Sequence, residues 1–598
     1  MSRTRFGALI AAAMIVVSAC GGSSPTASPA ASSAAPSAPA ASASAAPSAA
    51  ASASAATSAA PSASSAGTPV NGGNLVYALQ GDAVYADPSL VSDGNSLFIA
   101  DQVVEGLVGL KPGTISQVVP VLAASMPTVS ADGKTYTFTL RTGVTFSDGT
   151  PFNAAAVKYN YDRWKNFPKG DLQDNAYYYG AVFGGFGADS SIVSVDAPND
   201  TTVVMTLKAP QSNFLLATTL AVFGIQSPTA LRNGGADTTP LKNNNYAQGK
   251  GASMVGTGPF TLKEYVPGDH YTIVKNPNYW DTANAAHLDQ VTFKPIGDTT
   301  ATLQALQSGA VDGAFFIAPT DIQAAQGAGL QLINRGESCN IGYLGMNQQL
   351  WDKSGNKLGG PTIYANQDVR LAVAAALNKQ GYIDALYNGQ GKAATSFMPP
   401  STIGYKAQNF PAYDVNAAKA SLQKANLTPD QLKIDLWYPS NVTRPYMPDP
   451  KNEAVAIAGD LTAIGFTVTL QTQDWHAGYY NTMNTGQQGL YLLGWTCDWA
   501  GADNFLVTAF FGYSGGQPAK AFGYKNDQMN TLFNQALTAP TADAANTAWG
   551  QAQDLIGADM PMVPIVNSTP AGALAAKVHG YVGAANGTEP LNSVWIQP

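Results

Sequence analysis

Histidine is almost absent: His270, His287, His476 and His579 are the four in 598 residues. None forms an HExxH unit or a close pair, so the usual zinc-hydrolase ligand set is missing. Charge is sparse too, at 12% of residues, with a net charge of −8 and no basic cluster. Nucleic acid needs a cationic face that such a chain does not offer. No P-loop or dinucleotide-binding glycine pattern stands out, and nothing reads as a catalytic engine, a cofactor site or a metal site. Cysteine occurs three times, at Cys20, Cys339 and Cys497.

What is present begins with an address. Arg3 and Arg5 precede a short apolar run, Phe6 to Val17, and then Val17-Ser18-Ala19-Cys20. The run is too short to span a bilayer and has signal-peptide form. The cysteine directly after small residues resembles the bacterial lipobox. That likeness implies a signal over 1–19, lipid on Cys20 and attachment to the outer face of the cell membrane. Residues 20–70 are nearly all Ala, Ser and Pro, without charge or aromatics up to Gly67. Such a segment buries too little surface to offset its ordering entropy, and reads as a disordered tether.

Beyond it, strand and helix patterns alternate, which indicates α/β lobes. Strands are expected at 71–79, Thr135–Leu140, Thr202–Leu207, Gln290–Lys294, 432–436 and Phe466–Leu470, with a hairpin around Pro267-Gly268-Asp269. Helices are expected over 96–107, from Asn153 to Trp164, over Thr299–Ser308, after Asp368, after Asp414 and over Glu453–Ile464, the three named caps being short polar side chains. The run Leu490 to Leu493 reads as a buried strand. It leads into Gly494-Trp495-Thr496-Cys497-Asp498-Trp499. A carboxylate between large aromatics is costly to desolvate unless a cation meets it. Asp498 therefore either has a permanent partner inside the protein or awaits a cationic ligand.

Several strings in order resemble one family. Thr135 to Phe152 resembles "YTFxLRxGVxFxDGTPF"; Gly256 to Phe260 and Asn276 to Trp280 resemble "GTGPF" and "NPxYW"; Asp368 to Lys379 is similar to "DVRxAxxxAIDR". The chain thus resembles the extracytoplasmic solute-binding proteins of ATP-driven importers, the large peptide/nickel-binding group. The resemblance implies a bilobal periplasmic-binding-protein-like clamp, type II and class C, with an extra subdomain and a two-crossover hinge. It places lobe I in 71–112, 245–338 and 568–598, the subdomain in 113–244 and lobe II in 339–567. It implies no chemistry and a monomer, with a permease and its ATPases as partners.

The same likeness extends to ligand. Gly494 to Asp498 resembles the "GWxxD" segment of peptide-binding members, where the aspartate takes the peptide ammonium. Thr443-Arg444-Pro445-Tyr446-Met447-Pro448 is similar to an "RPYxP" loop whose arginine takes the carboxylate. Asp498 and Arg444 together would measure a short zwitterion, since a guanidinium forks onto a carboxylate. Trp475, Trp495 and Tyr446 would wall the pocket, and Ser92 and Gly94 would touch ligand from the other lobe. Nickel chelates, opines or glycosides are the alternative solutes, and a sensor or cell-wall interaction module the alternative role. The resemblance also implies a Cys339–Cys497 bridge, two buried free thiols being the other reading.

Overall fold

A computed structural model describes residues 67–512 and 522–597. The signal, Cys20 and most of the tether lie outside these residues. Among the described residues no helix is long and apolar enough to cross a membrane.

Three sheets carry the architecture. The first has seven strands, in the order Gln331–Leu332, Ala573–Leu574, Gly313–Ala314, Asn74–Leu79, Gln290–Pro295, His270–Lys275 and Phe260–Val266. Asn74–Leu79 runs parallel to Gln290–Pro295, with Asn74 opposite Gln290 and Leu79 opposite Pro295. Its inward residues Leu75, Tyr77 and Leu79 are buried with Phe98, Ile273 and Phe293. The hairpin forms where expected. Gly268 at its tip has φ +79°, a left-handed conformation that glycine adopts without steric cost.

The second sheet is a four-stranded antiparallel unit, Thr128–Val129, Thr135–Thr139, Thr202–Leu207 and Ile192–Asn199. Tyr136 and Phe138 point inward and their threonine neighbours do not, which is the period-two pattern read in the sequence. Helix Ala154–Lys165 covers it, capped by the Asn153 side chain, which accepts from the Ala156 N–H at 3.0 Å. That helix holds Arg163, buried against the buried Asp87 carboxylate. Ser89 and Gln226 also donate to Asp87, so the buried charge is fully met.

The third sheet has six strands, Gly391–Ala393, Met562–Ser568, Asn340–Met346, Leu490–Thr496, Lys433–Ser440 and Thr467–Asp474. Asn340–Met346 and Met562–Ser568 are buried along their whole length. Both faces of these strands are therefore covered. Helices Gln367–Ala376 and Pro450–Ile464 lend Val369, Ala372, Val373, Ile457 and Leu461 to the same core.

The chain crosses between the first and third sheets twice, after Leu332 and after Ser568. The Asn340 side chain binds the two crossings together. Its Nδ2 donates to the Ser568 carbonyl at 2.8 Å, and its Oδ1 accepts from the Ser568 N–H at 3.1 Å. Beside them Arg335 and Glu589 form a bidentate pair, Nε to Oε1 at 2.5 Å and Nη2 to Oε2 at 2.9 Å, with both side chains inaccessible.

Two local expectations change. The helix expected over 96–107 is the shorter Gly94–Ala100, capped by Asp93, which accepts from the Ser96 N–H. Glycines 256 and 258 pack against the carbonyl of Val103, so this segment leaves the helix to meet them. The cap of Gln367–Ala376 is Asn366, not Asp368, which sits in the first turn. A carboxylate there still favours the helix through the dipole.

Candidate functional site

Strand Leu490–Thr496 is buried up to Gly494 and then emerges, so the loop after it is delivered to the end of the central strands of the third sheet. Cys497 is bonded there to Cys339, the residue before the neighbouring strand, with Cα atoms 5.5 Å apart. The Cys497 N–H also donates to the Cys339 carbonyl at 2.7 Å. The bridge fixes the residue directly before Asp498.

Asp498 is partly buried and held by neutral donors. Its Oδ1 accepts from the Tyr178 hydroxyl at 2.6 Å, and its Oδ2 from Asn504 Nδ2 at 2.8 Å. Asn504 Oδ1 accepts in return from the Asp498 N–H and from Trp495 Nε1, each at 3.1 Å. Burial pushes the carboxyl up to about 6, and the bonds from Tyr178 and Asn504 act against that rise. Among the ion pairs of the described residues none involves Asp498. The permanent cation that the sequence left open is not found among the described residues.

Arg444 opens a tight turn whose N–H and carbonyl both pair with Met447. Gln80 of the first sheet reaches this loop, Nε2 donating to the Thr443 carbonyl at 3.3 Å. The guanidinium lies over the Trp475 ring, 4.6 Å from its centroid, and its buried Nε has no hydrogen-bond partner. Arg444 and Asp498 form no ion pair with one another. Trp475 in turn faces Tyr480, ring centroids 6.0 Å apart. The Tyr480 hydroxyl is raised well above the usual phenol range, mainly by burial, and it also feels Tyr446, Asp498 and Arg444. One tyrosine is thus electrostatically close to both charges.

Tyr446 is buried and seated on two paired glycines. Gly342 lies opposite Gly494 in the strand register. A Cβ at Gly494 would stand 2.1 Å from the Tyr446 ring, and one at Gly342 2.5 Å from the Tyr446 carbonyl. The loop carrying Arg444 therefore rests on a slot that any side chain would fill.

Ser92 and Gly94 are exposed, and Gly94 begins the helix that Asp93 caps. The Ser92 carbonyl lies 3.5 Å from the Tyr178 hydroxyl, so Ser92 meets the group that holds Asp498. The structure therefore brings Asp498, Trp495 and Ser92 together through Tyr178 and Asn504, and Arg444 and Trp475 together by stacking. Gly94 joins them only through the turn. Tyr178, Asn504, Tyr480 and Gln80 were not singled out from sequence. The signals were the aromatic run Tyr177-Tyr178-Tyr179, the Asn six residues after Asp498, and Tyr480 beside Trp475. Among the described residues no group of three or more His, Cys, Asp or Glu is placed to hold a metal ion.

With this geometry in place, comparison with known proteins is informative. Residues 117–517 match the model of "Bacterial extracellular solute-binding proteins, family 5 Middle". The chain is 29% identical over 538 residues to the dipeptide-binding protein of Escherichia coli (strain K12), covering 88% of this chain and 94% of that one. It is 27% identical over 525 residues to heme-binding protein A of Haemophilus influenzae, covering 85% of this chain and 90% of that one. The crystal structure of a dipeptide-binding protein from Pseudoalteromonas sp. SM9913 in complex with Met-Leu superposes with TM-score 0.74 at 25% identity, over 88% of this chain and all of that one.

Proposed function

The chain belongs to the bacterial extracellular solute-binding proteins, family 5, and on that premise we propose that it captures short peptides and delivers them to the permease of an ATP-driven importer. One observation carries the peptide reading. A partly buried carboxylate with no cation among the described residues, Asp498, and a guanidinium stacked on an indole, Arg444, both act electrostatically on the Tyr480 hydroxyl. A zwitterion with its ammonium on Asp498 and its carboxylate on Arg444 completes both. The aromatic walls, Trp475, Trp495 and Tyr446, supply contact area with little side-chain selectivity.

In this reading lobe I is 71–112, 245–338 and 568–598, the subdomain is 113–244 and lobe II is 339–567. The two crossings near Asn340 act as the hinge, and ligand is trapped when it closes. Lipid on Cys20 keeps the monomeric receptor at the outer face of the membrane. The protein does no chemistry on its cargo.

Native mass spectrometry of the purified protein, followed by denaturation, tests this. Release of short peptides supports the reading. The kinship with a heme-binding protein favours one second reading, the same clamp for a non-peptide solute such as a chelate, an opine or a glycoside. Release of a single non-peptide compound would establish that instead.

A further inference from the structure

Trp499 follows Asp498 in sequence but does not share its surroundings. It is 1% exposed and packs in the core built by the four-stranded sheet and its helices, with Phe138, Trp164, Phe183 and Phe214. Among the described residues it is the one buried member of that core from beyond Val255. Its neighbours Cys497 and Ala500 belong to the core of the six-stranded sheet instead. One side chain therefore leaves its own lobe and enters the other.

Hydrogen bonds follow the same path. Trp499 Nε1 donates to Asp503 Oδ2 at 2.7 Å, and the same oxygen accepts from Asn213 Nδ2 at 2.5 Å. One residue earlier, the Ser212 N–H donates to the Leu537 carbonyl at 2.8 Å, and the Ser212 hydroxyl to the Ala536 carbonyl at 3.2 Å. None of these groups touches the Asp498 carboxylate, Arg444 or Tyr480 in the contacts described above.

We infer that Trp499, together with Asp503 and Asn213, is an interlobe anchor that favours closure of the clamp whatever ligand the cleft holds. Separating the lobes must draw a buried indole into water and break the Asn213–Asp503 bond. Both losses oppose opening whatever the cleft contains. A receptor's apparent affinity is its intrinsic affinity scaled by the fraction already in the competent state. The anchor therefore raises affinity for every ligand by one common factor, while Asp498 and Arg444 select among them. This inference rests on the hinge-closure reading proposed above.

Distance measurement by single-molecule energy transfer tests it on the full chain without ligand. The exposed Val193 and Val455, one on each side of the anchor, take the labels as Val193→Cys and Val455→Cys. The unmodified anchor gives a distinct short-distance population already without ligand, beside the open one. Trp499→Ala moves most molecules to a longer distance, and Asn213→Ala, which leaves the indole in place, moves a smaller share the same way. Affinities for a free dipeptide and for its N-acetylated form then fall by the same factor, roughly ten-fold for Trp499→Ala through the lost closed fraction. Absence of a short-distance population in the unliganded parent, or distances unchanged in both variants, overturns the inference. So does selective loss of the free dipeptide. Because the distances are read without ligand, failure of the peptide reading leaves that arm intact.

Discussion

Replacing Asp498 by Asn separates recognition from folding. The carboxylate is raised to about 6 because burial disfavours its charge. Its shift from 3.8 is roughly two units, each about 1.4 kcal/mol, so the ionised group costs the fold about 3 kcal/mol at neutral pH. The folded-state value lies above the unfolded one. The group is therefore most compatible with the fold at low pH, and that compatibility is lost as pH rises through about 6. Asp498→Asn removes this cost while leaving an acceptor for Tyr178, and its loss of the Asn504 Nδ2 bond, about 1 kcal/mol, is smaller, so the unliganded variant should melt at or above the parent temperature at pH 7.5. Peptide binding should move the other way. Leaving the ligand ammonium buried without its partner costs about 2–5 kcal/mol, a loss of tens to thousands in affinity. Ligand binds the ionised form, so parent affinity should fall about ten-fold per pH unit below about 6 and be flat from there to about 7.5, where the peptide ammonium is still charged. Asp498→Asn should flatten the acid limb. Calorimetric titrations with a dipeptide from pH 4.5 to 7.5 read both effects. An unchanged affinity, or an acid limb that persists in the variant, refutes the reasoning.

Arg335→Met should lower stability by about 3–5 kcal/mol in urea unfolding, because it strands the inaccessible Glu589 carboxylate beside the two chain crossings. Gly494→Ala should cost about 1–3 kcal/mol and weaken dipeptide binding, since the new Cβ meets the Tyr446 ring at 2.1 Å and must displace the Arg444 loop. Joint Cys339→Ser and Cys497→Ser should destabilise by up to about 5 kcal/mol for a bridge spanning 158 residues, read as a lower melting temperature. Thiol titration of the unfolded, unreduced parent should find no reactive thiol from this pair; two would refute the bridge.

Much of the fold was legible because it rests on local rules. Asn153 caps its helix, Tyr136 and Phe138 alternate with threonines, and Pro267-Gly268-Asp269 turns its hairpin, each readable within a few residues. The helix after Asp93 was overextended because apolar spacing continues past Ala100. What ends it is the approach of Gly256 and Gly258, more than 150 residues away. The site divides the same way. That Asp498 sits at the end of a buried strand among aromatics follows from its neighbours in sequence. That its partner is Tyr178, separated by 320 residues, does not. Trp499 stands next to Asp498 in the sequence, yet it packs in the core of the other sheet. Alternation and capping report an element's own surroundings, whereas contacts between lobes depend on how the chain crossings set them.

The most direct test is calorimetric titration of one dipeptide in three forms: free, N-acetylated and C-amidated. If Asp498 and Arg444 measure a zwitterion, each blocked form binds tens to thousands of times more weakly, because each leaves one site charge unpaired. The free and C-amidated forms, which keep the ammonium, should then show the pH profile set by Asp498, and the N-acetylated form should not. Equal affinity for all three forms would contradict the account, and the two charges would have to be assigned to some other ligand or to the fold.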